Sequence, residues 1–390
     1  MNKQFFSFFT YILMYGDVKS SSITKWWKSL SQREQEVLLR DPYSLESRTI
    51  FREKVRIHDL PDSVIVLLHS ASIWKHKADA IYDYFIKKQV GYIHITDEKY
   101  PKALQVINDP PFILFYSGNI NLLSSTDMTI GIVGTRHSSY YAQAMTKRMV
   151  WEASLSKTIT CVSGLASGID EEVWKSAAKH NVNTIAVVPF WKQTVFSKRA
   201  ENQLIISEYP SKPISGNVKW CYVARNRIIA GLSEFCIVAE APVKSGALIT
   251  AAFAESYNRE VYYLVHNLAN RRARGNVLHP PDIPYNPYIT TLTDAILRHK
   301  ERIAITIIKS YLKHIGSLLG RTMSGKGLKL PGLYKLFFTD FSEFLWHACN
   351  KDVKEFSSCV IELKRLNVIQ EWRSVLLPNL LYVPDSWQNI

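Results

Sequence analysis

Three stretches of the chain end an apolar run on small residues beside a basic or hydroxyl side chain, the pattern from which α/β proteins build anion cradles. In SEFCIVAEAPVKSGALITAA (233–252), the strand pattern FCIVAEA turns at Pro242 and Lys244. Ser245 and Gly246 follow where a helix, ALITAAFAE, opens. The free N–H groups and the dipole at a helix start favour a phosphate or carboxylate, although many such turns hold no ligand. In IGIVGTRHSS (130–139), Gly134 lets the backbone turn sharply, Thr135 and Ser138 supply hydroxyls, and Arg136 offers a planar donor fork for phosphate. The alternative is a structural turn whose arginine points to water. CVSGLASGID (161–170) repeats the pattern with Ser163, Gly164 and Gly168, and places Asp170 to cap the following helix.

The segment ARNRIIAGLS (224–233) sets Arg225 and Arg227 about Asn226, with Tyr222 just before. Residues two apart on a helix point in different directions, so one arginine can face an anion while the other braces the fold. Tyr222 is either a ring on which a base stacks or a core tyrosine. RRARG (271–275) follows a strand and is either a solvated charge run or part of the same rim. No G-x-S-x-G elbow, P-loop or HExxH occurs, and nothing marks a nucleophile, so no catalytic residue is assigned. The turn at Gly134 is not GxGxxG and has no acidic residue placed for a ribose, which argues against a dinucleotide; no cofactor is expected. The five cysteines lie far apart with no CxxC and no zinc-ligand spacing, so no metal site is expected, and reduced buried thiols in a cytoplasmic protein are the ordinary explanation.

These turns need a scaffold. A chain of 390 residues suits two or three domains. Residues 1–90 read as a small helical domain, with segments at 4–15, 31–39, 62–72 and 74–88. FFSFFTYILMY (5–15) has the length of a signal-peptide core, but no small-x-small cleavage pattern follows, so it reads as a buried helix. From 91 to 298 short apolar runs alternate with helix-length segments. Strands are expected at 90–95, 112–118, 129–134, 158–164, 183–189, 203–209, 235–241 and 260–266, and helices at 139–155, 170–180, 224–232 and 247–258. Near-continuous apolar strands require burial on both faces, so this α/β pattern predicts a Rossmann-like, doubly wound, mostly parallel sheet. After HPPDIPYNPY (279–288), residues 299–390 read as a winged-helix-like domain, from an amphipathic helix at 353–372 and a hairpin at 376–383.

Lys and Arg outnumber Asp and Glu by 48 to 34, a formal charge of +14. The excess points to a polyanionic partner, nucleic acid or an anionic membrane surface, or simply to solubility. No transmembrane span is visible, and no membrane partner is expected.

Taken together, YPKALQVINDPPFILFYSGNINLL (100–123), IGIVGTRHSS, VSGLASGID, ISEYP (206–210), ARNRIIAGLS and VAEAPVKSGALITAA resemble the DprA/Smf family, the DNA-processing proteins of natural transformation. The motifs occur in the family's order and cover about half the chain. The resemblance implies a Rossmann-like protein that binds single-stranded DNA, dimerises and hands the strand to a RecA-type recombinase, and that is not known as an enzyme. It places DNA-binding basic residues at Arg136, Arg225 and Arg227, with Tyr222 as the aromatic. It implies that Arg136→Ala and Arg225→Ala weaken strand binding with little loss of folding. The chain departs from the pattern at Val173-Trp174, where the family has Ala-His, and at Val223, where it has proline. It also departs in the shortened stretch 190–203 and in VLHPPDIPY, where the family's L-I-x-x-G-A is not recognisable. A second reading is a nucleotide-ligand enzyme or sensor of the lysine-decarboxylase-like Rossmann group. Against it, PVKSGALITAAFAE lacks that group's paired glycines and sets Glu255 far along the helix. A third is a double-stranded DNA or protein adaptor working through the C-terminal module.

Overall fold

The computed structural model describes residues 3–15, 18–54, 60, 64, 66–67, 70–124, 127–156, 158–191, 201–212, 218–267, 270–278, 288–300 and 303. The chain divides into two compact units, 1–293 and 294–390. The winged-helix expectation at 299–390 and much of the helix expected at 62–72 lie outside the described residues.

The phenylalanine-rich start forms α1 (Lys3–Tyr15), followed by α2 (Ser20–Ser29), α3 (Gln32–Arg40), α4 (Leu45–Lys54) and α5 (Ala71–Lys87). Phe5, Phe6, Phe8 and Phe9 are all buried, so the apolar run is the interior face of a packed helix. Ser31 and Glu34 close α3 with a reciprocal capping box. These helices share their core with the sheet: Phe6 meets Tyr92 and Phe115, and Phe5 and Phe9 meet Phe112.

The sheet has nine strands among the described residues: β1 (Gly91–His94), β2 (Ile113–Gly118), β3 (Met128–Gly134), β4 (Ile159–Ser163), β5 (Asn183–Val188), β6 (Gln203–Ser207), β7 (Phe235–Glu240), β8 (Glu260–Leu264) and β9 (Tyr288–Ile289). Their order is β1-β2-β6-β5-β4-β3-β7-β8-β9. β1 and β2 are antiparallel additions at one edge, and β6 through β9 are parallel. The eight strands expected between 90 and 266 all form; β9, two residues long, carries no pattern of its own. The central β4 and β7 are buried at every position, as helices on both faces demand.

Short α6 (Lys102–Gln105) precedes β2, and four longer helices cover the sheet: α7 (Tyr140–Ser154), α8 (Ile169–His180), α9 (Lys219–Leu232) and α10 (Gly246–Ser256). α7 packs with α8 and α9 with α10. From β3 the chain winds outward through β4, β5 and β6, then returns to place β7 on the other side of β3. With right-handed crossovers this reversal puts α9 and α10 on the face opposite α7 and α8. It also opens a crevice beyond the carboxyl ends of β3 and β7, the topological switch point.

Cys161, Cys221 and Cys236 are free and buried, and burial pushes each thiol up to about 12. Among the described residues no helix is long and apolar enough to cross a membrane, and no group of three His, Cys, Asp or Glu residues could hold a metal.

Candidate nucleic-acid interface

A cleft of about 310 Å³ lies at the switch point, walled by the ends of β3 and β7 and the starts of α8, α9 and α10. The turn after β3 supplies Gly134, Thr135 and Arg136. A Cβ on Gly134 would sit 2.4 Å from Ile169, so only glycine lets α8 close against the strand here. The Thr135 amide donates to the Glu240 carbonyl at 2.7 Å, and the Ser139 amide to the buried Glu240 carboxylate at 2.6 Å. With the turn clamped to β7, Arg136 is left exposed at its tip. Ser138 is not among the residues that line the cleft, and its hydroxyl accepts from Gln143 at 3.0 Å.

The turn after β7 supplies Lys244, Ser245 and Gly246. Ser245 caps α10 by accepting from the Ala247 amide, and the Asn226 side chain holds the turn by donating to the Gly246 carbonyl at 3.0 Å. The space above Gly246 is open: an added Cβ would meet nothing nearer than Asn226, at 4.0 Å. Lys244 is exposed beside it. Bare backbone at a helix N-terminus next to a cation is what a phosphate requires.

α9 supplies Tyr222, Arg225 and Asn226. The half-buried Tyr222 ring carries the Arg136 guanidinium 5.1 Å from its centroid, and its neighbour Phe190 meets it edge-on. Arg225 is 6% exposed, with Nη1 3.6 Å from Asp170 Oδ2. Burial is the largest influence on both partners. It pushes the Asp170 carboxyl up in spite of Arg225, and pushes the Arg225 guanidinium down in spite of Asp170, with the Arg136 charge adding to the fall. Arg225 Nε and Asp170 Oδ1 have no hydrogen-bond partner among the described residues. Three cations, Arg136, Arg225 and Lys244, thus share the cleft with one carboxylate.

Five of the residues singled out in the sequence do not line the cleft: Ser138, Ser163, Gly164, Gly168 and Arg227. Ser163 donates its hydroxyl to the Ile132 carbonyl at 2.7 Å. Gly168 has φ 86° and lies where a Cβ would strike the Thr135 carbonyl at 2.3 Å. The turn at 163–168 is thus a packing surface for its neighbours, contributing Ala166 to the cleft wall. Asp170 does not cap α8: Gly168 holds that position, and Asp170 points from the first turn to Arg225. Arg227 is buried away from the cleft among acidic partners, bonding Asp109 Oδ2 through Nε at 2.9 Å and Glu208 through Nη2. Arg225 is too deeply buried to be removed without cost to folding, unlike Arg136.

Gly164 owes its identity to Arg225, since a Cβ there would lie 1.4 Å from Nη1. Gly164→Ala must displace a buried guanidinium and should cost about 1–3 kcal/mol, read from the denaturation midpoint. A wild-type midpoint would show that Arg225 moves aside freely.

An open, doubly wound, mostly parallel sheet with a basic cleft at its switch point defines a Rossmann-like α/β protein. The sequence profile of the DNA recombination-mediator protein A family matches residues 91–279. DNA processing protein DprA of Bacillus subtilis is 31% identical over 265 residues, 66% of this chain and 83% of that protein. Protein Smf of Synechocystis sp. is 39% identical over 207 residues, 50% of this chain and only 51% of that protein's length. The structure of DprA from Streptococcus pneumoniae superposes over 74% of this chain and 96% of that one, with 25% identity and a TM-score of 0.55. The chain belongs to the DprA/Smf family.

Proposed function

We propose that this protein binds single-stranded DNA in the switch-point cleft and passes it to a RecA-type recombinase during transformation or recombination. In this reading it acts without catalysis, in the cytoplasm, as a homodimer assembled through the Rossmann-like domain. Family membership supports a role in DNA processing, the activity in the names of its relatives. The observation that carries the strand assignment is the convergence of Arg136, Arg225 and Lys244 on one cleft with the Tyr222 ring and the open start of α10. Cations and N–H groups give phosphate affinity independent of sequence, and a ring accommodates any unstacked base. The turn at 242–255 offers no acid–base group, because Glu255 sits near the far end of α10.

The test is fluorescence anisotropy with labelled single- and double-stranded oligonucleotides across a salt series. Single strands should bind more tightly, with an affinity that falls as salt rises. Arg136→Ala removes a charge-assisted phosphate contact of about 1.5–3 kcal/mol, so affinity should drop about tenfold to a hundredfold while the melt is unchanged. Equal binding of both forms, or full affinity in a folded Arg136→Ala protein, would sink the assignment.

A further inference from the structure

The segment 270–278 closes over the ends of β7 and β8 and is fastened there from within. Asn276 is fully buried; its amide group donates to the Val238 and Leu264 carbonyls and its oxygen accepts from the Ala241 amide at 2.8 Å. Asn270 donates to the Glu240 carboxylate at 3.0 Å, and its own oxygen accepts from the Arg272 amide. Gly275 packs so closely on the turn after β7 that a Cβ would lie 2.6 Å from the Ala241 carbonyl and 2.8 Å from that of Pro242. The segment is thus anchored through Asn270, Gly275 and Asn276, and Ala273 is buried beneath it.

What the segment presents outward is Arg271, Arg272 and Arg274. All three are exposed, and none forms an ion pair among the described residues. A short anchored turn carrying three uncompensated guanidinium groups is costly in self-repulsion and gains nothing from the fold, whose contacts run through Asn270, Ala273, Gly275 and Asn276. The turn on which it rests, Ala241–Lys244, is itself the cleft wall that carries Lys244. The same Glu240 that receives Asn270 also receives the Ser139 amide at the end of the Arg136 turn. One buried carboxylate thus ties the arginine-bearing segment and the Arg136 turn to the same strand end.

We propose that Arg271, Arg272 and Arg274 form a second phosphate-binding patch, outside the cleft, that grips the continuing backbone of a strand whose other nucleotides occupy the cleft. The patch extends the basic surface across the Pro242–Lys244 lip. It rests on the reading that the cleft takes single-stranded DNA. Arginine forks suit phosphate oxygens, and contacts of this kind lengthen the footprint without adding sequence preference.

The experiment compares the wild-type full chain with the triple variant Arg271→Ala, Arg272→Ala, Arg274→Ala on two labelled strands, of about six and about thirty nucleotides. For the long strand the triple variant should lose about tenfold or more in affinity. Its log–log salt slope should flatten by about 2, near 0.7 for each phosphate that is no longer gripped. The short strand, filled by the cleft alone, should bind both proteins equally. A triple lysine variant should keep most of the slope. If the wild-type protein binds neither strand, the cleft reading fails and this proposal with it. Unchanged long-strand affinity and slope in the alanine variant overturn the patch while leaving the cleft reading intact. Equal loss on both lengths also overturns it, because the arginines would then act within the cleft.

Discussion

Arg227→Ala should lower folding stability by about 3–5 kcal/mol, the cost of leaving a buried charge without its partner. Arg227 is 3% exposed and lies between Asp109 and Glu208, with Tyr257 donating to the other oxygen of Asp109 at 2.8 Å. Burial alone would lower the guanidinium's affinity for its proton, but Glu208 and Asp109 together outweigh burial and raise it. Removing the arginine strands Glu208, which is 2% exposed and already has one carboxylate oxygen without a partner among the described residues. Burial pushes that carboxyl above its ordinary value of 4.5 even with Arg227 beside it. A raised folded value means that the native state holds its proton more tightly than the unfolded chain. Stability from that proton is present below pH 4.5 and is lost as pH rises through the folded value. The penalty of Arg227→Ala should therefore be larger at pH 7 than near pH 4.5, as read by chemical denaturation at both. Replacing Arg227 and Glu208 together by leucine should recover much of the loss. A single variant with wild-type stability at both pH values would show that the cluster does not brace the sheet.

The contrast between Arg225 and Arg227 marks how far the sequence can be read. That two arginines separated by one residue diverge on a helix is legible, and so is the division into one ligand-facing and one bracing side chain. Which takes which role is not, because Arg227 is claimed by Asp109 and Glu208, and Arg225 by Asp170, all distant in sequence. Arg136, Lys244, Ser245 and Gly246 are legible because a strand end, a turn and a helix cap are local matters. Gly164 and Gly168 carry the pattern of ligand-facing glycines, yet their lack of side chains instead admits Arg225 and the Thr135 carbonyl. The eight apolar strands stand out as continuous runs. The helix α2 does not: SSSITKWWKS has few apolar residues, and its place depends on burying Trp26 and Trp27 and on Ser20 accepting from the Phe112 amide at 2.8 Å. That bond spans the helical region and the sheet, and no local pattern announces it.

Asp170→Asn should strengthen strand binding, by about tenfold if it removes about 1.4 kcal/mol of repulsion. Among the described residues Asp170 is the one acidic side chain lining the cleft, and it competes with an incoming phosphate for Arg225. Burial pushes its carboxyl up from 3.8 and pushes the Arg225 guanidinium down, so their separation of 3.6 Å does not offset the burial of either. The cost to folding follows the logic of Arg227: asparagine keeps the shape of the side chain but leaves the buried Arg225 cation without its carboxylate, so the melt should fall below that of the wild type, while Arg225 becomes free to face the ligand. The same balance sets a pH dependence. Because the folded carboxyl titrates above 3.8, wild-type affinity should rise as pH falls through that elevated value toward 3.8, where protonation silences the competing charge. The asparagine variant should lack this component, so the two affinities should converge at low pH and separate at neutral pH. Anisotropy titrations of both proteins across that range measure the difference directly. Weaker binding by a well-folded Asp170→Asn protein would show instead that the carboxylate holds Arg225 in its binding pose, and that the pair acts on the strand as a unit.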